Sequence, residues 1–183
     1  MGIDGIKPDL LAPRYFVDEA RRYSPGTEHV LPGGHPPMNL AAGGWTARSD
    51  DLVQFLTALD GTRTGTPFLS AALMAEMTKP SPTVPSRANG TYFGLGWDVV
   101  EPKAGGFRYG KDGGIAGIST WIEHLPLEAT SPSGGGTIDW AIFFNSNVHS
   151  EEGKAALGVV TERLRRAMES LDWSAIERGT RAN

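Results

Sequence analysis

Two hydrophobic periods occur along the chain, and they are segregated. Between residues 49 and 59, Leu52, Phe55, Leu56 and Leu59 recur at three- and four-residue spacing and predict an amphipathic helix. Ser49 or Thr46 can cap its first turn, Asp50 and Asp51 suit its positive end, and Gly61 marks its stop. A second short helix is predicted over 70–78, with Leu73, Met74 and Met77 as its apolar side. Pro80, Pro82 and Pro85 then impose an irregular connection.

Beyond residue 90 the period changes. The stretch 92–100, YFGLGWDVV, reads as one strand, with Gly94 and Gly96 leaving a narrow face beside Tyr92 and Trp97. Phe107 and Tyr109 alternate with polar neighbours, as on a half-buried strand. The run Gly110-Lys111-Asp112-Gly113-Gly114 reads as a tight glycine turn, and 115–122 resumes in β-branched and aromatic residues. Residues 125–136 have no period and read as an exposed, turn-rich insertion. Residues 138–144 form the most apolar strand, closed by Asn145-Ser146-Asn147. From 151 to 171, Ala155, Ala156, Val159, Val160, Leu164, Ala167, Met168 and Leu171 place an apolar face at helical spacing, away from Arg163, Arg165 and Arg166. Such a helix needs a sheet to cover. The order of helices, meandering strands and a terminal helix predicts an α+β fold, an antiparallel sheet with a packed carboxy-terminal helix. There is no strand–helix alternation, no GxGxxG and no P-loop to support a nucleotide-binding sheet.

The first 37 residues are poorly periodic. Residues 15–23 suit a short helix, 29–37 (HVLPGGHPP) a loop, and the tail after Trp173 a frayed end. A length of 183 residues suits one domain, 1–183. A net charge of -4 and a pI near 5.6 argue against nucleic acid as a partner, because acidic residues flank the only arginine cluster. The absence of Cys excludes disulfides and thiolate chemistry. No 18-residue apolar run suggests a membrane-spanning segment, and no signal-like start suggests export, which leaves the compartment open. His29 and His35 lack an HExxH-like neighbourhood, and His149 reads as a surface residue, so no metal and no cofactor are expected.

The candidate chemistry lies at residues 110–114. Lys111 sits among residues that let the backbone approach a ligand closely, so it can hold an anion or steer a proton. The N–H groups near Gly113 and Gly114 can face a developing oxyanion. The same residues also fit a glycine-rich hairpin with a solvated Lys.

Taken in order, four stretches resemble the penicillin-binding-protein-like serine hydrolases, the superfamily of class C β-lactamases, DD-peptidases and esterases. They are AAGGWTARSDDLVQFLTAL (41–59), LSAALMAEM (69–77), YFGLGWDVV (92–100) and YGKDGGIAG (109–117). The resemblance implies the carboxy-terminal part of a β-lactamase/transpeptidase-like fold. Lys111-Asp112-Gly113 is similar to the family's third active-site motif, Lys or His, a variable residue, then Gly. The resemblance makes Lys111 and the Gly114 amide catalytic groups, and Asp112 and Gly113 substrate contacts. Asp112 departs from the Thr or Ser common in the lactamases, and a carboxylate there opposes β-lactam or D-Ala-D-Ala recognition. A small ester or amide is the better expectation.

The family's nucleophile motif, Ser-x-x-Lys, and its Tyr-x-Asn motif are both absent from these 183 residues. The implied partner is therefore a missing amino-terminal half carrying Ser-x-x-Lys, or another copy of the chain covering the same apolar surface. The chain alone is expected to be inactive. A non-catalytic remnant binding ligand or protein, and a truncated product with no separate function, are the competing readings. The resemblance is compatible with a periplasmic or extracellular location.

Overall fold

The computed structural model describes residues 5–8, 14–24, 27–33, 43–60, 65–103, 106–115, 117–146 and 151–176. Expectations placed on residues 34–37 (His35 included), 41–42, Gly61, Ala116, Asn147, His149 and the tail from 177 onward fall outside the described residues.

The described elements, in chain order, are β1 (Lys7–Pro8), β2 (Trp45–Thr46), α1 (Ser49–Asp60), α2 (Ala71–Met77), β3 (Thr91–Phe93), β4 (Asp98–Lys103), β5 (Gly106–Ile115), β6 (Ile118–Leu127), β7 (Gly136–Phe144) and α3 (Glu151–Ser170). Strands β3 to β7 form one five-stranded sheet in sequential order, and β1 pairs with β2. The ladders β3–β4 and β4–β5 are antiparallel, and short hairpin links continue the meander. The class is α+β with an antiparallel sheet and a carboxy-terminal helix.

The chain divides into two compact units, and the long strands pass from one into the other. The first comprises Met1–Phe68, Asp112–Ile122 and Trp140–Ala156. Its core includes Leu56, Ala58 and Leu59 of α1, and Trp140. The helix forms where its apolar spacing predicts it. Its start is closed from inside, because the buried Asp51 carboxylate reaches back to accept from the Arg48 N–H at 3.1 Å. Residues 15–23 are not helical. Arg22 is buried there and donates to the Pro32 carbonyl at 2.6 Å, while Tyr23 makes single bridges to Val30 and Ser146. These distant partners outweigh a weak local helix preference.

The second unit comprises Leu69–Lys111, Glu123–Asp139 and Leu157–Asn183, with Tyr92, Trp97, Val99, Tyr109, Leu125 and Leu127 in its core. Ser70 caps α2 by accepting from the Leu73 N–H at 3.3 Å. No residue of α2 is buried, so its apolar side is not a core face; Met77 instead receives the Trp97 indole N–H at its sulfur, 3.1 Å away.

Further expectations are corrected. The stretch 92–100 is not one strand but the β3–β4 hairpin, turning through Gly96 at φ 84°. Gly94 is required because the Met77 carbonyl packs where a Cβ would stand. The glycine run 110–114 is not a turn but part of β5, and Gly117, just before β6, is the next glycine with a positive φ, 78°. Residues 125–127 are not an exposed insertion: β6 continues through them, Leu125 and Leu127 are buried, and the turns begin at Glu128.

Another correction concerns α3. Its expected apolar face stays exposed at Val159, Val160 and Leu164, while Thr161 is buried and Arg165 turns in toward Glu123 of β6. A fully buried carboxylate needs a charged partner more than the helix needs to cover two valines. The tail does not fray at once either. Residues 173–176 form a helical turn, the Trp173 N–H donates to Ser133 Oγ and its indole N–H to the Met168 carbonyl.

Candidate functional site

Lys111, Asp112, Gly113 and Gly114 lie consecutively on β5. Within the second unit, the Lys111 ammonium stands 3.5 Å from Asp98 Oδ2 and 5.5 Å from the centre of the Phe93 ring. Asp98 opens β4 and is only 8 % exposed, so its charge depends on these partners. Its other oxygen lies 2.9 Å from the Arg87 guanidinium, which also stacks 4.8 Å from the Phe93 centroid. Lys111 is therefore an anchored cation rather than a freely solvated one.

The rest of the motif belongs to the first unit. Asp112, Gly113 and Gly114 are exposed. Gly113 has a packing reason to be glycine: a Cβ there would stand 2.5 Å from Thr120 Oγ1 on β6, and that hydroxyl donates to the Gly113 carbonyl at 3.4 Å. Among the described glycines, neither Gly113 nor Gly114 has a positive φ, so both keep ordinary extended geometry.

Two further charged constellations lie in the second unit, and neither stood out in the sequence. Glu123, 2 % exposed, accepts two hydrogen bonds from Arg165 of α3, Nε at 3.1 Å and Nη2 at 2.9 Å, with Arg108 at 3.7 Å. Burial, followed by the Arg165 charge, pushes the Arg108 pKa below its ordinary value, against the pull of Glu123. At Arg165 burial also opposes the charge, but the hydrogen bonds and charges of Glu123 and Glu162 together more than offset it, and the pKa rises. Arg165 and Arg166 both bind Glu162 on the helix surface, at 2.6 and 2.9 Å. The hydrogen bond from Arg166 leads in holding the Glu162 carboxyl below its ordinary value.

The other constellation is a buried cross-strand pair. His124 Nδ1 lies 2.8 Å from Asp139 Oδ1, and the Tyr109 ring stacks on the imidazole at 4.7 Å with 10° between planes. Trp97 meets Tyr109 edge-on at 5.2 Å. This stack ties β5, β6 and β7 together inside the core layer.

No sequence spacing links Arg87, Asp98 and Lys111, or Glu123 and Arg165; only strand pairing and helix docking bring them together. Among the described residues, no three His, Cys, Asp or Glu side chains cluster so as to hold a metal, and no helix is long and apolar enough to cross a membrane. The sequence matches no protein-family model, and no curated protein matches it.

Proposed function

We propose that this chain is the carboxy-terminal part of a β-lactamase-related serine hydrolase, completed by a Ser-x-x-Lys-bearing part outside these 183 residues. The observation that carries the reading is the placement of Lys111-Asp112-Gly113-Gly114 on an inner strand of an antiparallel meander that ends in a helix. The four resembling stretches fall, in order, on β2 and α1, on α2, on the β3–β4 hairpin and on β5. In a completed site, the Ser attacks the carbonyl of a small ester or amide. The Gly114 N–H stabilises the developing oxyanion, and Lys111 supplies positive charge beside the reacting groups. Gly113 lets substrate approach the strand, and Asp112 selects against an anionic group at its own position.

The second reading is a non-catalytic ligand- or protein-binding remnant of the same fold. It is favoured by the Asp98–Lys111 pair, which gives the lysine a structural task without any chemistry.

Purified chain, assayed with a chromogenic ester, a cephalosporin and a covalent serine probe, is expected to show no turnover and no labelling. Co-expression with the segment encoded upstream is expected to restore hydrolysis, and Lys111→Ala in that complex to lower it about 10²-fold. A stably assembled but inactive complex favours the binding remnant. Stoichiometric labelling of a Ser in the isolated chain, with turnover lost when that Ser becomes Ala, overturns the claim that the nucleophile lies elsewhere.

A further inference from the structure

Three arginines stand close together on α3, and only two of them have an acid to bind. Arg165 is held by Glu123 and Glu162, and Arg166 by Glu162. Arg163 is exposed and, among the described residues, has no acidic partner. A lone charge on a solvated helix face is ordinary. The surface next to this one is not.

Leu157, Val160, Leu164, Ala167 and Leu171 recur at alternating three- and four-residue steps. That is the period of a helix–helix seam. Val160, Leu164 and Leu171 are 38 %, 37 % and 41 % exposed, so the seam is largely uncovered. At about 100° of rotation per residue it runs along one flank of α3. Thr161 and Arg165 turn to the interior beside it, and Glu162 with its arginine contacts lies on the opposite flank. Arg163, three residues beyond Val160 and four before Ala167, stands on the outer rim of the seam. All these residues belong to the second unit.

A second copy of α3 is a poor occupant. Antiparallel pairing about the middle of the seam sets Arg163 beside its own equivalent, and like charges repel. Parallel pairing places Met168 across from it, which supplies no acid. We infer that this flank of α3 docks an amphipathic helix of a partner chain, apolar along its own seam and carrying Asp or Glu opposite Arg163. The seam sets the shape and the bulk of the binding, and the rim charge sets the choice of partner. The inference rests on none of the hydrolase assignments, and its test reads binding alone.

The test titrates the isotope-labelled full-length chain with a stapled, monomeric helical peptide. The peptide carries Leu and Ala along its seam and Glu on both rims; a twin carries Lys in place of Glu. The Glu peptide is expected to give saturable shifts at Val160, Leu164, Ala167 and Leu171 and to bind about threefold tighter than its twin. Added salt should shrink that difference. Leu164→Asp, at an exposed position, should weaken both peptides about tenfold or more. Arg163→Glu should reverse the preference in favour of the Lys twin, a gain that general damage to the helix cannot produce. If Leu164→Asp does not fold, Arg163→Glu decides the question. Absent or non-saturable shifts, shifts centred away from α3, equal binding of the two peptides, or an unchanged preference in Arg163→Glu would overturn the docking site. Shifts at the seam that grow with the chain's own concentration and do not respond to either peptide would assign it to a second copy and overturn the proposal.

Discussion

At the scale of single residues, the buried acids decide more than the surface charges do. Glu123 lies at 2 % exposure between Arg165 and Arg108, so removing its charge takes the buried counter-ion from two partly buried guanidinium groups and leaves Arg165 only its surface partner Glu162. Glu123→Gln is expected to lower stability by about 3 kcal/mol, read from the urea midpoint. Adding Arg165→Met to that variant should recover part of the loss, because a missing pair is less harmful than an unpaired charge. Gly113 calls for a different argument. Its Cβ position is filled by Thr120 Oγ1, so Gly113→Ala should destabilise by about 1–3 kcal/mol, and Thr120→Ala in the same chain should restore most of it. A stability loss that Thr120→Ala does not relieve would mean that the clash is not the cause. The sequence marked Gly113 as a place where the backbone is open to a ligand. The physical reason visible in the fold is a cross-strand hydroxyl, which no local pattern reveals.

At the scale of elements, α3 shows how far a period can be read. Its existence and its extent, Glu151–Ser170, follow from apolar residues recurring at helical spacing. Its rotation does not. Counting apolar positions points Val159 and Val160 at the sheet, yet Val159 is 51 % exposed because Arg165 is drawn to Glu123. The helix surface also carries a titrating contact. The Glu162 pKa is lowered from an ordinary 4.5, so the contact contributes its full stability above that value and loses it as pH falls through the lower folded-state value. Glu162 is half exposed, so the effect is small. Urea midpoints measured from pH 6 downward should fall slightly less steeply for Glu162→Gln than for the parent. An identical slope in the two proteins would show that this contact adds nothing to acid sensitivity. The β3–β4 hairpin gives the same lesson in a sheet. Their apolar pattern suits Tyr92 and Val99 to one strand, and they are partners across two.

At the scale of the molecule, exposed apolar side chains are spread over α2, α3 and the loops, with Phe68, Leu73, Leu95, Val159 and Val160 among them. Light scattering on the isolated chain is expected to show concentration-dependent self-association. Val159→Lys combined with Val160→Glu should weaken that association while changing the urea midpoint little, as expected for exposed positions. A monodisperse monomer at all concentrations would count against an uncovered surface. The sequence by itself determined the class, the helices α1, α2 and α3, and that the strands follow one another in a meander. Those properties depend on side-chain periods and short connections, which are local. Tertiary structure alone decided that a five-residue glycine-rich run is strand rather than turn, that α3 docks through an arginine, and that Arg87, Asp98 and Lys111 meet. Each of these depends on a partner brought in from elsewhere in the chain. A buried carboxylate or a cross-strand side chain changes the free energy of a segment by more than its local preference does, and nothing within the segment records which partner will arrive.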